Sequence, residues 1–317
     1  MHIRPLRPPA PAGTPALAGL PRVAGLPRVA GLPALAGALA LGAVLLGGCG
    51  GPSDGADRRP SVVTSFYPLQ YVAQRVVGGR ATVTNLTHPG QEPHDLELSV
   101  RQTADLVDAD VVVYERGFQA AVDDAVDQSS PEHVVDAAEA ADLSGQDPHF
   151  WLDPTKLARV AGAVERQIAA ADPTNAAAYA RNLRAVQHDL TRLDRSFRSG
   201  LADCRTDTIV VSHDAFGYLG QRYGLDVVGI NGLSPEAEPS PSHLQALQQL
   251  IARDHITTVF SEELASPAFA DSLAGDLGIR TAVLDPIEGL SDATADQDYL
   301  SLMRANLRTL QEANECR

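Results

Sequence analysis

Short runs of β-branched and aromatic residues alternate along this chain with longer runs whose apolar positions recur every three or four residues. The first such cycle predicts strands over 62–66, 81–86 and 111–114, with helices over 69–77 and 100–107 between them. Strands separated by helical segments imply βαβ units and a mainly parallel sheet. Two helix starts follow, each an Asp-Pro pair: Asp153-Pro154 ahead of Leu157, Val160, Val164 and Ile168, and Asp172-Pro173 ahead of Tyr179, Leu183, Val186, Leu190, Leu193 and Phe197. An acid at the cap and a proline in the first turn are strong N-terminal signals. The second stripe runs to Gly200 and predicts one amphipathic helix roughly 40 Å long at 1.5 Å per residue, long enough to span two lobes. The alternation then resumes, with strands expected over 208–212, 226–230, 256–260 and 280–284, and helices over 216–223, 244–252, 269–277 and 299–310. The expected fold is α/β: two Rossmann-like lobes with mainly parallel sheets, joined by a long linking helix.

The first residues do not share this periodicity. Residues 1–48 contain Arg4, Arg7, Arg22 and Arg28 but no acid, and residues 32–48 are almost wholly Ala, Leu, Gly and Val. A basic segment followed by an apolar one reads as a signal peptide rather than part of the fold. Its apolar stretch is shorter than the ~20 residues a membrane span requires. It ends in Leu46-Gly47-Gly48-Cys49, a lipoprotein processing signal that predicts cleavage and lipidation at Cys49. The Gly-, Pro- and Ser-rich stretch after Cys49 reads as a flexible tether. The expected organisation is a signal peptide (1–48), a lipid-anchored tether (49–60), an N-terminal lobe (61–171), the linking helix (172–203) and a C-terminal lobe (204–317). The protein is therefore expected outside the cytoplasm, anchored to the cell membrane by its lipid.

Composition narrows the function. The chain carries 40 acidic residues against 25 Lys and Arg, a formal net charge of −15, and removing the arginine-bearing leader makes the remainder more negative. Such a field repels nucleic acid and concentrates cations. There are three cysteines. With Cys49 lipidated, Cys204 and Cys316 remain as an isolated pair in an oxidising compartment, where a disulfide is expected.

In open α/β sheets ligands collect beyond the carboxyl ends of strands. His94, His213 and Asp285 each follow a predicted strand, and His149 lies in the segment leading out of the first lobe. Three imidazoles and one carboxylate suit Zn²⁺ in tetrahedral geometry and are a poor match for Ca²⁺ or Mg²⁺, which prefer oxygen shells. The metal site is expected in the cleft between the lobes, with Glu92 and Glu262 as further acids close to it. His88, His188, His243 and His255 have no matching context and read as surface or hydrogen-bonded residues.

The surroundings of the three histidines are distinctive: Glu92-Pro93-His94-Asp95; Asp147-Pro148-His149-Phe150-Trp151-Leu152-Asp153-Pro154, with the single Trp; and Ser212-His213-Asp214-Ala215-Phe216-Gly217-Tyr218-Leu219. At these motifs the chain resembles the metal-specific substrate-binding lipoproteins of ABC transporters, and is most similar to their zinc branch. The resemblance covers everything after the leader. It implies that His94, His149 and His213 are ligands, and that Asp285, in Leu284-Asp285-Pro286, is the fourth or lies close to it. In manganese binders of this family the position matching His213 is typically Glu, so His213 points to zinc. Glu262 matches an acidic position near the cleft. Two departures are evident: residues 117–148, where many zinc members carry a His-rich loop, contain only His133, and Glu92 is spaced one residue further from His94 than in some relatives. The resemblance implies a monomeric, non-enzymatic carrier that captures Zn²⁺ and delivers it to a permease driven by a separate ATPase. The alternatives are a manganese or iron carrier of the same transporter type, a metal-dependent adhesin, and an exported zinc hydrolase. The last lacks a His-Glu-x-x-His helix or a nucleophile elbow to support it.

Overall fold

Valine-rich strands form the centre of each half of the molecule, in a computed structural model that describes residues 59–317. The expected signal peptide, the lipidation site Cys49 and most of the tether lie outside the described residues. In the first lobe β1 (Ser61–Thr64), α1 (Tyr67–Val77), β2 (Thr82–Asn85), α2 (Val100–Val107), β3 (Val111–Tyr114), α3 (Ala120–Ser129) and β4 (Val134–Asp136) are followed by the short α4 (Ala137–Ala140). The strands pair in parallel in the order β2-β1-β3-β4. All four residues of β3, Val111-Val112-Val113-Tyr114, are buried, as expected of a central parallel strand covered on both faces.

Helices α5 (Pro154–Ala171) and α6 (Ala176–Gly200) come next. Asp153 caps α5 by accepting from the Thr155 amide, with Pro154 in the first turn. The stripe expected to be one helix from Asp172 is divided: Pro173–Asn175 forms a 3₁₀ turn and the α-helix proper begins at Ala176. Asp172 accepts instead from the Tyr179 hydroxyl at 2.6 Å. The second lobe repeats the first with β5 (Thr208–Val211), α7 (Gly217–Tyr223), β6 (Asp226–Gly229), α8 (Pro241–Asp254), β7 (Thr258–Ser261), α9 (Ala268–Leu277) and β8 (Arg280–Val283), and closes with α10 (Tyr299–Ala313). Its parallel strands run β6-β5-β7-β8. In both sheets the chain reverses its direction of travel at the first strand, where open α/β sheets form a ligand crevice.

Helix α6 packs against α1, α5 and α10. Its buried Asp194 accepts from Arg222 of α7 at 2.8 Å, and Arg222 also reaches Asp153 at 3.1 Å. Close approach requires Gly78 at the end of α1: its φ is 54°, and a Cβ there would stand 2.5 Å from Asn182 Nδ2, which donates to Val76 O. Each sheet has its own outer apolar cluster, but the inner faces share one: Val62, Phe66 and Trp151 belong to the same continuous cluster as Val211, Phe260 and Tyr299. Among the described residues no helix is long and apolar enough to cross a membrane.

Cys204 and Cys316 are disulfide-bonded across 112 residues. The bond joins the segment after α6 to the end of the chain, where Arg205 N and Arg317 N also donate to Asn314 O and Asp203 O. Replacing both cysteines with serine is expected to lower the unfolding free energy by up to ~5 kcal/mol, the chain-entropy value for a loop of this size. Equilibrium denaturation of the oxidised protein and the double variant measures it, and unchanged stability would mean that the backbone bonds alone hold the seam.

Candidate metal centre

Each of the three histidines is delivered by a different structural device. His94 lies in the long connection between β2 and α2, its amide donating to Glu92 Oε2 at 3.0 Å and its ring set edge-on to Phe118. His149 immediately precedes a 3₁₀ turn, Phe150–Leu152, whose three side chains are wholly buried and anchor the loop in the core. His213 follows β5 and begins the turn into α7. The Nε2 atoms of all three converge on one carboxylate oxygen, Glu288 Oε1, at 3.3 Å from His94, 3.0 Å from His149 and 3.4 Å from His213. His149 and His213 Nε2 are themselves 3.3 Å apart. One ligand atom from each of the four residues can be chosen so that all lie within 4.8 Å of one another, close enough to share a metal ion.

Two of the rings are oriented by acids on their far side. Asp147 Oδ1 accepts from His149 Nδ1 at 2.8 Å and from the His149 amide at 3.0 Å. Glu262 Oε1 does the same for His213, at 2.8 Å and 3.1 Å. A carboxylate on Nδ1 holds the proton there and leaves Nε2 as the free donor, which orients the ring and raises its basicity as a ligand. Burial opposes the charged form of both rings, yet the facing acids prevail: Glu262 and Glu288 push His213 up to about 10, and Asp147 and Glu288 raise His149. Glu288 is buried, which disfavours its charge, but its three histidine partners hold it well below the ordinary carboxylate range. Without a metal, His149 and His213 thus favour their protonated forms and Glu288 its carboxylate.

The structure brings His94, His149 and His213 together and places Glu262 behind one of them. Asp285 stands outside the group of four: its Oδ1 accepts from the Ile287 amide at 2.8 Å, its Oδ2 is buried without a hydrogen-bond partner, and burial pushes its carboxyl up to about 7. Glu92 lies at the edge, Oε1 4.0 Å from His94 Nε2, and burial pushes it likewise to about 7. Sequence reasoning passed over Glu288 and Asp147. The signal for Asp147 was its place two residues before His149. For Glu288 it was a second acid in the loop after β8. Between Asp285 and Glu288, Ile287 adopts φ 60°, a left-handed conformation that is unfavourable for a β-branched residue by on the order of 1–3 kcal/mol.

The family model described as zinc-uptake complex component A, periplasmic, matches residues 62–313. The zinc-binding lipoprotein AdcA of Streptococcus pneumoniae is 31% identical over 284 residues, covering 82% of this chain and 57% of AdcA, so the chain spans little more than half of that relative's length. The high-affinity zinc uptake system protein ZnuA of Bacillus subtilis is 31% identical over 299 residues, covering 85% of this chain and 94% of ZnuA. Among solved structures, the Zn(II)-bound ZnuA-like domain of S. pneumoniae AdcA superimposes with a TM-score of 0.72 at 32% identity, over 81% of this chain and 99% of that one. The laminin-binding protein Lmb of Streptococcus agalactiae, described as having adhesin and metal-transporting activity, gives 0.74 at 31% identity over 80% and 99%. With the match running from β1 to the end of α10, the chain belongs to the family of the periplasmic component A of zinc-uptake complexes.

Proposed function

We propose that this protein captures Zn²⁺ outside the cytoplasmic membrane and hands it to an ABC-type permease powered by a separate ATPase. The observation that carries the reading is the convergence of three imidazole Nε2 atoms on Glu288 Oε1, within a buried cleft between the lobes. The proposed ligands are His94, His149, His213 and Glu288. Three nitrogens and one carboxylate oxygen form a complete tetrahedral shell for zinc, whereas a catalytic zinc keeps one position open for water. That difference supports carriage over hydrolysis. A nitrogen-rich shell of borderline softness also favours zinc over Mn²⁺, both by ligand type and by the general order of divalent affinities. The anchoring lipid at Cys49 and a monomeric working unit complete the reading.

Titration of the metal-free protein with Zn²⁺ in the presence of excess Mn²⁺ tests it. One zinc is expected to bind per chain, undisplaced by manganese at a hundredfold excess. Displacement at comparable concentrations would assign the cleft to manganese.

A further inference from the structure

Glu288 sits at the end of a turn whose backbone is tied at every step. The Asp285 amide donates to Asn306 Oδ1 at 3.0 Å, and Asn306 Nδ2 returns a bond to Asp285 O at 2.6 Å. Pro286 O accepts from the Trp151 indole at 2.7 Å, and the Trp151 carbonyl in turn accepts from the Tyr299 hydroxyl. Ile287, wholly buried and at positive φ, donates its amide to Asp285 Oδ1. Trp151 belongs to the His149 loop and Pro286 to the Glu288 loop, so the indole bond crosses from one lobe's ligand to the other's.

We propose that Asp285 and Trp151 are positioning residues for Glu288, Asp285 closing the turn at Ile287 and Trp151 tying that turn to the His149 loop. The proposal rests on the reading of Glu288 as a ligand. Without the Asp285 bond the strained Ile287 conformation loses its amide partner. The backbone then relaxes toward negative φ, which rotates the next residue's Cα–Cβ bond away from the three imidazoles. Without the indole bond the turn is free to move with its own lobe. For this role Asp285 needs only a single acceptor, Oδ1, and an asparagine carries the same atom. A metal ligand at 285 would instead need the anion.

Zinc affinity by chelator competition and the visible spectrum of the Co²⁺-loaded protein separate these roles. D285N, D285A and W151F are made in the wild-type and E288Q backgrounds of the chain from residue 49. D285A and W151F are expected to lower zinc affinity 10–100-fold, the usual loss when a partner that orients a ligand is removed, and to shift the Co²⁺ spectrum to that of E288Q. D285N is expected to stay within threefold of the wild type. In the E288Q background neither D285A nor W151F should cost more than a further threefold, because the residue they position has lost its anion. Equal losses in both backgrounds would show these residues acting independently of Glu288, and a D285N as weak as D285A would show that position 285 needs its anion; either result overturns the proposal. A damaged E288Q beside normal D285A and W151F would overturn it while leaving Glu288 a ligand. Wild-type affinity in E288Q would remove Glu288 from the shell and the proposal with it. Circular dichroism accompanies each variant, and W151F, which keeps a ring in the packed site, carries the test if D285A fails to fold.

Discussion

His213→Ala is expected to weaken zinc binding by roughly 10²–10³-fold. A four-ligand zinc site in a small protein contributes on the order of 10–16 kcal/mol, so one ligand's share is about 2.5–4 kcal/mol. The loss extends beyond the missing nitrogen. Glu262 is buried and directs Oε1 at the His213 ring and amide; without the imidazole it keeps only the amide. The variant should still fold, because the packing of this segment comes from its neighbours Ala215, Phe216 and Leu219, which lie in the central apolar cluster. Isothermal titration with Zn²⁺, alongside circular dichroism, reads both parts. Wild-type affinity in a folded variant would take His213 out of the shell.

Zinc binding is expected to release more than one proton per metal at pH 7, and affinity to fall steeply in acid. Burial works against charge on both His213 and His149, but Glu262 and Glu288 raise His213 to about 10, and Asp147 and Glu288 raise His149 above its ordinary value. A coordinating imidazole must have lost its ligand-side proton, so the metal displaces what the empty cleft holds. The sign follows: a ligand whose pKa is raised in the metal-free state disfavours binding at every pH below that value. His213 accounts for about one proton throughout the range from pH 9 to 5. His149 adds an increasing fraction as pH falls toward 5. Each displaced proton costs tenfold in affinity per pH unit, so these two rings alone imply a loss of roughly 10³–10⁴ between pH 7 and 5. Calorimetry at pH 7 in buffers of different ionisation enthalpy counts the protons directly. An enthalpy independent of buffer would contradict the protonated resting state of the cluster.

Most of the architecture was legible because strand and helix periods are local properties. The strands around Val62, Val111, Val210 and Val259 and the helix starting at Pro154 each announce themselves through a few neighbouring residues. The segment 117–148 did not. Its helix Ala120–Ser129 buries only Val122, Ala125 and Val126, and strand β4 is three residues long, so neither carries enough apolar repeat to stand out from a loop. At the site, strand ends located His94, His213 and the loop after β8, because the sheet topology collects ligands there. Which acid of that loop faces the imidazoles is a different kind of fact. It depends on the Asp285 side chain turning back onto the Ile287 amide, on a left-handed residue at 287, and on an indole 135 positions earlier in the chain. None of these follows from spacing.

The apolar cluster shared by the two sheets resists parting of the lobes. Parting the lobes would bring Phe66, Trp151, Phe216 and Phe260 toward water, and at about 25 cal/mol per Å² each 400 Å² of exposed apolar surface costs on the order of 10 kcal/mol. Thermal fluctuation rarely supplies that. Under the proposed function, release of zinc would then disturb the loops that carry the imidazoles and Glu288 while the two sheets keep their mutual orientation, and the residence time of zinc would be a property of those loops. The permease proposed as its partner would then need to shift only one loop at the cleft rim, without the work of opening the whole molecule.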